Sequence, residues 1–238
     1  MSKDPKSLDA PRNLYGRRRS HKLRGGRQAL MDAYLSSVSV PEADLRRNPD
    51  RRQIDLQALF GGQREIWLEI GFGGGEHLIH QALANPSVGL IGCEHYVDGV
   101  AKLLAAMKCE GVENVRVHPY DARDLMDVLP DGSVSKAFLL YPDPWPKTRH
   151  HKRRFISPEN LDAFARILHP GAELRVASDI PDYIRHTLQL TRDRDDFEWM
   201  ARTSADWREA WPDWSSTRYE AKAIREGRTP CYLTFRRV

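Results

Sequence analysis

The chain has 238 residues, of which 40% are hydrophobic and 29% charged. That balance suits one α/β domain with appendages and excludes wholesale disorder, a collagen-like chain and a small disulfide scaffold. The net charge of +4 is too small to name a partner, but residues 1–30 hold nine Lys/Arg against two acids, so a basic arm precedes a mildly acidic body. Such an arm is either a solvated tail or a contact for a polyanion.

Residues 1–30 are expected to form a flexible basic arm and residues 31–238 a single domain. The first residues contain no apolar segment of the kind a secretory signal needs. Three cysteines (Cys93, Cys109, Cys231) without a C-x-x-C pair suit a reducing compartment, so a cytoplasmic location is expected. No run approaches the 18 apolar residues of a membrane-spanning helix, so no membrane partner is expected.

From Glu65 onward, apolar runs alternate with helical patterns. Residues 65–72 read as a buried strand leading into glycines, and 76–84 as a helix. Strand 88–94 precedes helix 96–111, which Gly111 ends; strand 114–120 precedes a short helix over 121–129; strand 133–142 follows. Ser157-Pro158-Glu159 opens a helix as N-cap, first-turn proline and early acid. Strand 173–179 and helix 181–190 come next, and 197–203 and 230–238 close the chain as strands. The alternation predicts an α/β fold with a doubly wound, mostly parallel sheet of seven strands and an antiparallel last strand. Segment 204–229, with Trp207, Trp211 and Trp214, reads as a long functional loop whose indoles either stack on a nucleotide or anchor it to the body.

The sharpest local signal is Glu69-Ile-Gly71-Phe-Gly73-Gly-Gly75, where glycines permit a tight strand-to-helix turn and close approach of a ligand. A dinucleotide fingerprint needs a glycine at 76, which is Glu. An acid two residues before the first glycine instead resembles the S-adenosylmethionine motif of Rossmann-like methyltransferases. Glu94 closes the second strand, where a carboxylate can accept ribose hydroxyls. Asp121 follows the third strand and either borders an adenine or caps the next helix. No spacing of His77, His80 or the cysteines argues for a metal.

After the fourth strand comes Tyr141-Pro-Asp143-Pro-Trp145-Pro-Lys147, whose prolines stiffen a turn at the carboxyl edge of the sheet. Residues 147–154 then hold five Lys/Arg and two His with no acid, a footprint for phosphates. Together with LEIGFGGGEHL, GCEHY, ASD at 177–179 and TRYE at 217–220, this run resembles the bacterial tRNA (guanine-N7-)-methyltransferases over nearly all of residues 60–238. Tyr141 stands where that family has Phe, and Thr148 where a second Lys is common.

The resemblance implies the class I methyltransferase fold, S-adenosyl-L-methionine as cofactor, and the variable-loop guanosine of tRNA (nucleotide 46) as substrate. It implies cofactor contacts at Glu69, Gly71, Gly73, Gly75, Glu94, Asp121 and Asp143, with Asp143 also catalytic. It implies substrate contacts at Lys147, Asp179, Thr217, Arg218, Tyr219 and Glu220, and RNA contacts along Thr148, Arg149, His150, His151, Lys152, Arg153 and Arg154. The partner is then tRNA, without metal or membrane, and a monomer is the expected state. Guanine N7 carries a free lone pair, so its methylation needs no general base. Glu220 or Asp179 is the expected reader of the guanine edge. The rivals are a methyltransferase acting on a small molecule or another base, and an RNA-binding module that keeps a vestigial cofactor fold.

Overall fold

The computed structural model describes residues 13–16, 18, 23, 25–44 and 46–238. Most of the basic arm expected over residues 1–30 lies outside them. Seven strands, β1 (Ile66–Ile70), β2 (Gly89–Cys93), β3 (Val115–His118), β4 (Val134–Leu140), β5 (Leu168–Ser178), β6 (Phe197–Trp199) and β7 (Cys231–Arg237), form one sheet in the order β3-β2-β1-β4-β5-β7-β6. Every pairing from β3 to β5 is parallel, while β7 runs antiparallel to both β5 and β6. The order reverses between β1 and β4, which opens a crevice at their carboxyl ends.

The helices are α1 (Gly25–Ala33), α2 (Leu35–Val38), α3 (Leu56–Phe60), α4 (Glu76–Ala84), α5 (Val97–Glu110), α6 (Ala122–Val128), α7 (Pro158–Ile167), α8 (Pro181–Arg192), α9 (Ala205–Arg208) and α10 (Arg218–Arg225). Capping chemistry read from the sequence is present where it was expected. Ser157 Oγ accepts from Asn160 N, and Gly111 ends α5 in the left-handed region.

Alternation along the strands splits the core into two layers. Ile66, Leu68 and Ile70 face α6, α7 and α8 through Leu125, Phe164 and Tyr183. Trp67, Leu90, Val117 and Phe138 face α4 and α5 through Leu78, Leu103 and Met107. Helix α1 begins inside the stretch assigned to the arm and lies against α5. Val40 N donates to Val117 O, and Ser39 bridges Val117 in parallel, which covers part of the β3 edge.

Two expectations are corrected. Segment 204–229 is not a bare loop, because α9 and α10 lie within it. The last two strands are therefore separated by helices, and β7 inserts between β5 and β6 rather than being added at the edge. The strand expected over 197–203 is only Phe197–Trp199.

Candidate active site

The glycine turn between β1 and α4 is the floor of the site. Gly73 has φ +58°, and a Cβ there would sit 2.9 Å from the Tyr219 ring. Gly75 has φ +84°, and its Cβ would meet Leu103 Cδ1 at 2.6 Å. Both positions exclude a side chain on two counts, backbone conformation and space. Above Gly71 (φ +75°) a Cβ would meet nothing within 4 Å, so the backbone there is open to the cleft. Gly99 on α5 had no signal in the sequence, yet a Cβ at that position would fall 2.1 Å from Gly73 O.

Glu94 follows β2 and is buried. It fixes the turn by accepting from Gly73 N at 2.9 Å on one carboxylate oxygen and from Tyr96 N at 2.8 Å on the other. Burial pushes the Glu94 carboxyl above its ordinary range, against the two backbone N–H groups that hold it down. Each oxygen keeps a lone pair for a further donor. Beside it, the buried His95 Nε2 has no hydrogen-bond partner among the described residues.

Of the two roles considered for Asp121, the structure shows the helix cap. Its side chain caps α6 by accepting from Arg123 N at 3.0 Å, and it lines the cleft while paired with the Arg123 guanidinium.

Glu69 is placed differently. Period 2 along β1 sets it on the face of Trp67, where His77 Nδ1 donates to it at 2.7 Å. Gln81 Nε2 continues this buried line to His77 Nε2 (3.3 Å) and to Asp213 O (2.8 Å), tying α4 to the segment before α10. Glu69 is not among the residues lining the cleft.

The cleft has a volume of about 1020 Å³ and runs along the carboxyl ends of β1 to β4, at the upper end of the roughly 300–1,000 Å³ of ligand sites. Asp143 stands at its mouth, exposed, with no hydrogen bond or ion pair among the described residues. The turn that carries it contains two of the three non-glycine residues with positive φ among the described residues, Tyr141 (+50°) and Trp145 (+42°). Bulky residues are rare in that region and are held there by their surroundings.

For Tyr141 the anchor is Glu220. That carboxylate is 3% exposed and accepts from Tyr141 OH (3.2 Å), Trp214 Nε1 (2.9 Å) and Tyr232 OH. Burial pushes the Tyr141 hydroxyl pKa up, so it remains a donor. Asp179, the other expected reader of guanine, is paired with Arg228. Of TRYE, Thr217 caps α10, Arg218 pairs with Glu76, and Tyr219 alone lines the cleft.

The basic run forms a short turn over Thr148–Arg153. Lys147, Thr148, Arg149 and Lys152 are exposed, and none of the three cations among them has an acidic partner among the described residues. His150 packs edge-on against Trp145 (5.9 Å), and His151 lies 3.6 Å from Asp182.

Arg154 departs from its expected RNA contact. It is 2% exposed, donates to Pro144 O (2.9 Å) and Asp182, and lies over the Tyr183 ring. Its charge is consumed in holding the turn to α8. Arg153 instead lines the cleft, over Tyr15 and Trp145.

The three indoles of the 204–229 segment anchor it. Trp211 Nε1 donates to Thr234 Oγ1, Trp214 to Glu220, and Trp207 packs on the core. None of them lines the cleft. Where the arm is described it crosses the cleft mouth: Arg123 donates to Asn13 O, Val97 N donates to Arg18 O, and Tyr15 meets Trp145.

Comparison with known proteins agrees with this geometry. Residues 63–233 match the family described as "Putative methyltransferase". The tRNA (guanine-N(7)-)-methyltransferase of Ruegeria pomeroyi is 58% identical over 97% of both chains. That of Jannaschia sp. is 55% identical over 98% of both. Among solved structures, the aminoglycoside resistance methyltransferase NpmB1 superposes with a TM-score of 0.53 at 16% identity, covering 81% of this chain and 93% of its own, which speaks for the fold alone. With a Rossmann-like methyltransferase sheet, a glycine-floored cleft and full-length similarity of this degree, the chain belongs to the family of tRNA (guanine-N7-)-methyltransferases.

Proposed function

We propose that this protein transfers a methyl group from S-adenosyl-L-methionine to N7 of a guanosine in tRNA, at nucleotide 46 of the variable loop. One observation carries the reading. A cleft at the carboxyl ends of the strands has acceptor carboxylates on one flank and, at its mouth, a carboxylate and nearby cations that have no partner among the described residues. The cofactor, when bound, supplies an electrophilic methyl group on a sulfonium.

The residues present fit that group. Glu94 has lone pairs left for ribose hydroxyls, and the orphaned His95 Nε2 beside it offers a further polar contact. Asp121 borders the end of β3 where a base edge would lie, and Gly71 leaves the backbone open to close approach. Glu69 acts through His77 to hold α4 and the glycine turn in place.

On the substrate side, Asp143 faces the positive charge that develops on the purine and stabilises it without removing a proton. Cys93 lines the cleft but is buried, and that burial pushes its thiol well up, which leaves it a poor nucleophile. Lys147, Arg149 and Lys152 present their charge to backbone phosphates, and Tyr219 covers Gly73 at the cleft. The deciding experiment incubates the protein with labelled S-adenosylmethionine and unmodified tRNA and maps the label. N7-methylguanosine at position 46 is expected; absence of label, or label on another base, refutes the reading.

A further inference from the structure

Arg153 belongs to the acid-free basic run, yet its guanidinium faces no anion among the described residues. Its carbon lies 4.7 Å from the Tyr15 ring centroid and 4.9 Å from that of Trp145. Its Nε is buried and has no hydrogen-bond partner among the described residues. A planar cation set over two rings, with its Nε unsatisfied among the described residues, is a state that a phosphate oxygen would relieve. The two rings meet edge to face at 6.1 Å and 73°, and both line the cleft. Trp145 lies two residues beyond Asp143, between two prolines and at φ +42°, so its ring is carried by the same stiff turn as the unengaged carboxylate.

We propose that Tyr15 and Trp145 form the platform on which the target guanine stacks, and that Arg153 is parked there until RNA arrives. This rests on the tRNA-methylation reading above and deepens it. A base pushed out of an RNA stack is held by aromatic faces, and such faces also attract the cation that N7 methylation makes of the purine. Entry of the base displaces the guanidinium, and the displaced Arg153 moves to a backbone phosphate, where its Nε gains an acceptor. The exchange swaps one planar group for another on the same rings. It brings the base beside Asp143 at the moment the RNA backbone is engaged.

The test uses the full chain with Trp145→Ala, Trp145→Phe and Arg153→Ala. The readouts are tRNA affinity across a salt series, kcat/KM for tRNA at saturating S-adenosylmethionine, and cofactor affinity by titration. Trp145→Ala should weaken tRNA binding and kcat/KM by about ten-fold, leaving cofactor affinity within about two-fold; Trp145→Phe, which keeps a face, should recover most of the loss. Arg153→Ala should lower the slope of log K against log salt by about one. The platform is overturned if Trp145→Ala binds tRNA like the parent protein, or if its loss falls on cofactor affinity instead, since the rings would then only latch residues 13–16 over the cleft. An unchanged salt slope in Arg153→Ala overturns the exchange. If the parent protein places no methyl on N7, the underlying reading fails, while the binding measurements still judge the platform.

Discussion

Glu220→Ala separates a structural carboxylate from a substrate-reading one. In the folded protein that carboxylate is the acceptor for Trp214 Nε1, Tyr232 OH and Tyr141 OH. Tyr141 and Trp214 are only partly buried and can turn to water, but Tyr232, 5% exposed, loses its partner in the interior. A buried unsatisfied donor costs about 1–3 kcal/mol, so about 2 kcal/mol is expected. For a domain of this size each kcal/mol shifts Tm by roughly 2–4 °C, which makes the expected fall about 4–8 °C. Glu220→Gln keeps one acceptor oxygen but turns an amide donor towards other donors, so it should fall in between. Thermal and urea unfolding measure the stability, and methyl transfer to tRNA at a temperature where the variant is folded measures the consequence. If Glu220→Ala unfolds within about 2 °C of the parent while turnover vanishes, the carboxylate contacts substrate and the buried-anchor argument is wrong.

Three further outcomes follow from the geometry. Gly99→Ala places a methyl 2.1 Å from Gly73 O, so the glycine turn must shift, and cofactor affinity by titration should fall more than ten-fold. Arg154→Ala takes a buried guanidinium away from Pro144 O and from the half-exposed Asp182 and should cost about 1–3 kcal/mol by urea unfolding, with no change in the salt slope of tRNA binding; Lys152→Ala should do the reverse and lower that slope by about one. His118, 1% exposed and donating from Nε2 to Asp121 O at 3.0 Å, is depressed by burial to about 4. Its unfolded form takes up a proton near pH 6.5 and the folded form only near 4, so stability is lost as pH falls through that window. At 1.4 kcal/mol per pH unit the loss is about 3 kcal/mol. His118→Asn should flatten the fall of urea stability between pH 6.5 and 4.

The strand–helix alternation, the glycine turn and the acids at strand ends were legible because each depends on local chemistry: apolar runs, glycine conformations and positions next to a strand terminus. The direction of Glu69 was not, because β1 is buried on both faces and its sequence carries no alternation from which to read a side. Arg154 looked like its neighbours because a charge run shows sign but not burial, and only Asp182 and Tyr183 from α8 reveal its role. Helix α10 did leave a trace, since Thr217 followed three residues later by Glu220 has the spacing of a capping box. Here Thr217 Oγ1 accepts from Glu220 N while the Glu220 carboxylate turns inward to the aromatic donors. Tyr15 and Gly99 gave no signal, because each matters only through a partner distant in the chain.

The insertion of β7 between β5 and β6 gives synthesis a direction. Tyr232 comes from that strand and reaches Glu220, which in turn holds Tyr141 beside Asp143. The turn at the cleft mouth is thus braced by Glu220 and Tyr232, which leave the ribosome 77 and 89 positions after Asp143. A nascent chain that has emerged only as far as residue 230 already holds Glu94, Asp121 and Asp143, yet lacks Tyr232 from the brace behind the turn that carries Asp143. Long-range pairing of this kind is completed late in folding. On the function proposed above, a polypeptide released before β7 should therefore lose methyl transfer to RNA more completely than cofactor binding.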